Sequence, residues 1–156
     1  MILDKWGIHA KHDPQINNKI NPYGSFETGN FENLPDGCSV KCLTANQLFD
    51  LPIGEYKVIM PVRDSEQIIL SRREAFHAKQ PVRNLDLQKK MIDKQYKFIR
   101  FIVEHREDME LLEVPYDDYF NKTDETIQAI SDFVGVPFDT EKAKEAIDPT
   151  YYKIRK

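Results

Sequence analysis

Two hydrophobic periods alternate along this chain, and the switches between them outline its elements. The run 57–60 (KVIM) is short and nearly continuous, the pattern of a strand covered on both faces. MELLEV at 109–114 predicts a second strand. Between them the period lengthens to that of a helix. Asp64 caps one helix, with Gln67 three residues on as a capping-box pair, and that helix ends before Pro81. A long amphipathic helix follows from Leu85 to about Glu107. Its apolar stripe is Met91, Ile92, Tyr96, Ile99, Ile102 and Val103.

After the second strand, residues 115–120 read as a turn with aromatic anchors. Thr123 caps the next helix, whose first turn carries Asp124 and Glu125 and whose stripe is Ile127, Ile130, Phe133 and Val134. Gly135 and Pro137 stop it. A last helix covers 141–147, and a tail runs to Lys156. Upstream, residues 1–6 read as the last turns of a helix stopped by Gly7, and 8–10 as a short strand. Residues 11–36 are rich in Asn, Asp, Pro and Gly and read as loop. Residues 39–43 predict another strand, and Thr44 caps a helix through Phe49 that Pro52 and Gly54 end. Strands alternating with helices predict an α/β fold: one domain over 1–156, a parallel sheet flanked by helices.

Composition narrows the function classes. The 156 residues are 40% hydrophobic and 31% charged, ordinary for a soluble domain with a real core. A net charge of −4 argues against a general nucleic-acid or membrane-surface binder, while leaving room for a local basic pocket. No apolar run is long enough to span a bilayer, and the first residues lack a signal peptide's basic and apolar regions. The expectation is a cytoplasmic protein with neither membrane nor nucleic acid as partner. Cys38 and Cys42 share a face of a predicted strand, too far apart to bond, and read as buried thiols. His9 and His12 lie near Asp13 without a third ligand, so no metal is expected.

Candidate chemistry concentrates in residues 56–73, YKVIMPVRDSEQIILSRR. Arg63 sits at the end of a predicted strand, the amides of the helix start are expected to lie open, and Ser71, Arg72 and Arg73 follow. That grouping suits a phosphate. Pairing of Arg63 with Asp64 or Glu66 is the competing structural reading. Arg72 and Arg73 read as a solvated face, and Ser71 has the alternative of back-bonding within its helix.

The ordered set NPYGSFE, VKCL, YKVIMPVRDSEQIILSRR and MELLEVPYDDYFNKTDETIQAISDFVGVPF resembles the sulfotransferases that use 3′-phosphoadenosine 5′-phosphosulfate. The resemblance covers nearly the whole chain in order. It implies a P-loop-like sulfotransferase architecture, with Arg63 and Ser71 holding the 3′-phosphate of that nucleotide or of its bisphosphate product. It implies structural roles for Tyr116, Asp117 and Asp118, and for Phe133, Gly135 and Pro137. It makes Glu27 in NPYGSFE the candidate catalytic base, since Cys42 and Leu43 stand after Lys41 where a K-T-H pattern would supply a histidine. The family's P-R-S-G-T-S/T phosphate loop has no counterpart here. The expectation is therefore an N-terminally incomplete version of the fold, lacking a central strand and inactive in sulfuryl transfer to a hydroxyl or amine acceptor. Two alternatives accompany it. One is a nonenzymatic degenerate or interaction module, forming a homo-oligomer through an open sheet edge. The other is a small nucleotide or metabolite kinase, which the absence of a G-x-x-x-x-G-K segment disfavours.

Overall fold

The structure, a computed structural model, describes residues 42, 44–75, 84–145 and 147. Two strands, β1 (Tyr56–Val62) and β2 (Met109–Pro115), form a parallel pair with Tyr56 opposite Met109 and Val62 opposite Pro115. Before β1 stands α1 (Ala45–Phe49). The connection between the strands carries α2 (Ser65–Ala75) and α3 (Leu85–Glu104). After β2 come α4 (Asp118–Asn121), α5 (Thr123–Val134) and α6 (Thr140–Glu145). A parallel pair needs such a crossover, because a hairpin turn cannot return the chain to the same end.

The pleat sorts the side chains of both strands onto two faces. Tyr56 and Val58 of β1 and Met109 of β2 join Ala45, Leu48 and Leu51 and the α3 residues Ile99, Ile102 and Val103. Ile59, Leu112 and Val114 face the other way, against Ile127, Ile130 and Val134 of α5 and Ala143 of α6. The described residues are thus mixed α/β, a small two-stranded parallel sheet with helices on both faces. The expected coverage of 57–60 holds only in part: Met60 is buried, Val58 and Ile59 are half-buried, and Lys57 is exposed.

Several local expectations change. The long helix ends at Glu104, three residues early, where His105 caps it and stacks its ring on Phe101 at 4.1 Å. Met91 leaves the apolar stripe and stands 59% exposed, alongside exposed Leu87, Phe98 and Phe101. The expected turn at 115–120 winds into α4. Thr123 does not cap α5: its hydroxyl donates back to the Tyr119 carbonyl at 2.9 Å, a bond made from inside the helix. The capping box belongs to Thr44 and Gln47 instead, each side chain meeting the other's backbone N–H. Gly135 stops α5 as expected, at φ 74°, where a side chain would be strained. Ser131, buried just before it, donates to the Val136 carbonyl at 2.7 Å and accepts the Phe138 N–H at 3.3 Å. Residues 1–41, with the NPYGSFE segment, Trp6, His9, His12, Glu27, Cys38 and Lys41, lie outside the described residues, as does His77. Cys42 is half-buried against the α1–α3 cluster, and burial pushes its thiol up, which suits a packing residue rather than a nucleophile.

At the edge where the strands begin, Arg106 forms a clasp. Its Nε donates to Asp108 Oδ1 at 2.9 Å and Nη2 to Asp108 Oδ2, while Nη1 reaches the Leu51 carbonyl at 2.8 Å and Nη2 the Pro52 carbonyl at 2.9 Å. The Gly54 N–H donates to Asp108 Oδ2 at 3.0 Å. The clasp fastens the loop after α1 to the start of β2. The Arg106 guanidinium, then the Gly54 amide, hold the Asp108 carboxyl well below its usual range. A carboxyl depressed in the folded state stabilises above its unfolded pKa, about 4, and loses that contribution as acid protonates it. Arg106→Ala is expected to cost about 2 kcal/mol at neutral pH, since it strips two carbonyls of their guanidinium donor and leaves the Asp108 carboxylate with the Gly54 N–H. Urea midpoints measured from pH 7 to pH 3 test this. The wild type should lose more stability below pH ~4 than the variant does; parallel curves would show that the clasp is not the acid-sensitive element.

Candidate anion-binding site

The register that sets Val62 opposite Pro115 brings the next residues, Arg63 and Tyr116, together at the strands' C-terminal edge. The Tyr116 N–H donates to the Val62 carbonyl at 2.7 Å, prolonging the ladder by one bond. In open α/β sheets this is the edge where ligands bind, because the strand-to-helix turns open there. The Arg63 guanidinium lies over the Tyr116 ring, 4.6 Å from its centroid. Nε–H of Arg63 donates to Gln67 Oε1 at 3.2 Å. From α3, the Tyr96 hydroxyl accepts the Arg63 N–H at 3.2 Å and donates to the Arg63 carbonyl at 3.4 Å. The side chain is half-buried, and it forms no ion pair with a carboxylate among the described residues.

The two acids expected to compete for Arg63 are occupied elsewhere. Glu66 pairs with Lys89 of α3 at 3.2 Å. Asp64 caps α2, its Oδ1 accepting the Glu66 and Gln67 N–H groups, each at 3.0 Å. This corrects two expectations. The helix start is not open, because those amides are already taken by a carboxylate. The capping box is only half made, because Gln67 turns its side chain to Arg63 instead of to the Asp64 N–H. Any anion held here is therefore held by side chains. A guanidinium with its Nε engaged and no carboxylate on Nη1 or Nη2 presents a two-pronged fork, the geometry that matches two oxygens of a phosphate or sulfate.

Ser71 stands half-buried on α2, about 10 Å along the axis from Asp64 at 1.5 Å per residue. Among the described residues no hydrogen bond joins it to Arg63, so the structure does not bring the two expected phosphate ligands into contact. Arg72 is exposed, as expected of a solvated face, and Arg73 is half-buried. Tyr96 and Tyr116 are the functional candidates that the sequence pattern hid. Tyr96 falls in an apolar stripe, and nothing in that spacing tells where its hydroxyl goes. Tyr116 read as an aromatic anchor, and its ring does pack against Phe120, 5.5 Å between centroids, while the Arg63 guanidinium also lies over it. One residue on, Asp117 Oδ1 is buried without a hydrogen-bond donor. Among the described residues no cluster of His, Cys, Asp and Glu could hold a metal, and no helix is long and apolar enough to cross a membrane.

No family model, curated protein or solved structure matches the chain.

Proposed function

We propose that this chain is a sulfotransferase-like nucleotide-binding domain that grips the 3′-phosphate of 3′-phosphoadenosine 5′-phosphosulfate, or of the bisphosphate product, at Arg63. One observation carries the reading: a half-buried guanidinium, seated on Tyr116 and tied to Gln67, with no carboxylate partner among the described residues, at the ligand-binding edge of a parallel strand pair. The choice of nucleotide rests on the resemblance of the motif order to the sulfotransferases, which also implies Ser71 as the hydroxyl that joins Arg63 on the phosphate. The P-loop-like sulfotransferase architecture belongs to the same proposal, with β1 and β2 as two strands of a larger parallel sheet. The sequence contains no P-R-S-G-T segment to hold the 5′-phosphosulfate, so the function proposed is nucleotide binding and not sulfuryl transfer by this chain alone.

Calorimetric titration with adenosine 3′,5′-bisphosphate and, separately, with ATP tests the reading. Saturable binding of the bisphosphate is expected at least about tenfold tighter than that of ATP, a gap of about 1.4 kcal/mol. Equal affinity for the two would assign the site to phosphates in general, and no binding of the bisphosphate would remove the proposal.

A further inference from the structure

We infer that Tyr96 is the positioning residue of this anion site, an inference that rests on Arg63 being its phosphate ligand. Arg63 lies between the end of β1 and the Asp64 cap, where its N–H and C=O have neither strand nor helix partners of their own. Backbone groups left this way are satisfied by side chains or water. Tyr96 satisfies both, because a phenol oxygen can accept one bond and donate another. The backbone of the one residue that must point at the ligand is thereby fixed by α3, a helix with its own docking on the sheet.

Three elements then converge on a single arginine. Tyr96 of α3 fixes its backbone, Gln67 of α2 fixes its Nε, and Tyr116 beyond β2 supports the guanidinium plane. A free arginine loses much rotamer freedom when it clamps an anion. Holding it beforehand takes that loss out of the binding step. The apolar stripe of α3 asks only for an aromatic ring at position 96, which phenylalanine would supply equally well. The hydroxyl is thus the feature that packing does not require, and its two bonds both go to Arg63. Tyr96 touches no ligand in this arrangement; it acts through Arg63.

The test is a double-mutant cycle read by titration of adenosine 3′,5′-bisphosphate into the full chain. Tyr96→Phe is expected to weaken binding about fivefold in the wild-type background, the size of one lost hydrogen bond. In an Arg63→Ala background the same change should move affinity less than about twofold, because the residue being positioned is gone. An equal loss in both backgrounds, or no loss in the first, would overturn the inference. Urea unfolding of Tyr96→Phe shows whether the variant is folded. A second readout needs no ligand: the Arg63 Nε–H resonance, assigned by its disappearance in Arg63→Ala. It should be sharp and displaced from the bulk arginine signals in the free wild type, and collapse toward them in Tyr96→Phe. If the bisphosphate fails to bind the wild type, the nucleotide reading fails, and this resonance still decides whether Tyr96 fixes Arg63. An identical signal in both proteins would refute it.

Discussion

Ile127→Ala should lower the stability of this protein by about 3 kcal/mol, the largest single-residue effect expected outside the binding site. Ile127 and Ile130 are the largest fully buried side chains among the described residues, 2% and 1% exposed. They sit where α5 meets the sheet, with Val114 of β2 on one side and Ala143 of α6, 0% exposed, on the other. Removing three carbons there leaves a cavity, because the single methyl of Ala143 cannot lean into the gap. The cost is the lost transfer energy plus the unfilled volume. Ile127→Val, one methyl smaller, should cost about 1 kcal/mol. Met91→Ala is the internal control. Sequence periodicity placed Met91 in a core stripe, but it stands 59% exposed, so its truncation should change stability by no more than about 0.5 kcal/mol. Urea denaturation of the three variants checks the order. Equal losses from Ile127→Ala and Met91→Ala would contradict the placing of Ile127 in a buried cluster and of Met91 outside one.

That contrast shows which parts of the fold can be read from a sequence. The strands read at 57–60 and 109–114, and observed at 56–62 and 109–115, were legible because a short apolar run between polar flanks has few alternatives, and the helices between them supply the crossover that a parallel pair needs. The α5 stop was legible because Gly135 adopts a left-handed conformation that other residues resist. What failed were choices among partners close together in sequence. Gln67 had both the Asp64 N–H and the Arg63 Nε within reach, and it took the arginine. Thr123 had a cap position or the Tyr119 carbonyl, and it took the carbonyl. Each alternative is one hydrogen bond, worth about 1 kcal/mol either way, so tertiary geometry decides. Met91 failed for a different reason: a helix twenty residues long is amphipathic along its length, but only part of it meets the sheet and α1. In the candidate site, Arg63 was legible by its place after a strand. Tyr96 and Tyr116 were not, since their meeting with Arg63 depends on how α3 and β2 dock.

Arg63→Ala should weaken adenosine 3′,5′-bisphosphate binding by about 2–3 kcal/mol, roughly 30- to 150-fold. The loss is large because the guanidinium is the site's main donor: the amides at the α2 start are consumed by Asp64, and that carboxylate remains nearby as a like charge to any phosphate. Without Arg63 the phosphate would meet Asp64 with little to offset the repulsion. Arg63→Lys separates charge from shape. A lysine keeps the positive charge but has no Nε to hold Gln67 and no flat fork to lie on Tyr116 or span two oxygens. It should recover less than half of the lost binding free energy. Both variants should stay folded. The native contacts given up are one hydrogen bond from the guanidinium to the neutral Gln67 amide and a cation–ring contact, each worth about 1 kcal/mol at a partly exposed position. Calorimetry at two salt concentrations completes the argument, because charge attraction alone is screened and oriented bonding less so. If Arg63→Lys binds as tightly as the wild type at low salt and falls away at high salt, the site recognises charge and not phosphate geometry. If Arg63→Ala binds as the wild type does, the arginine on Tyr116 is a packing device and the nucleotide, if bound, sits elsewhere. The combination expected, a large loss in Ala and a partial return in Lys that persists in salt, is what a preset fork at the end of β1 produces.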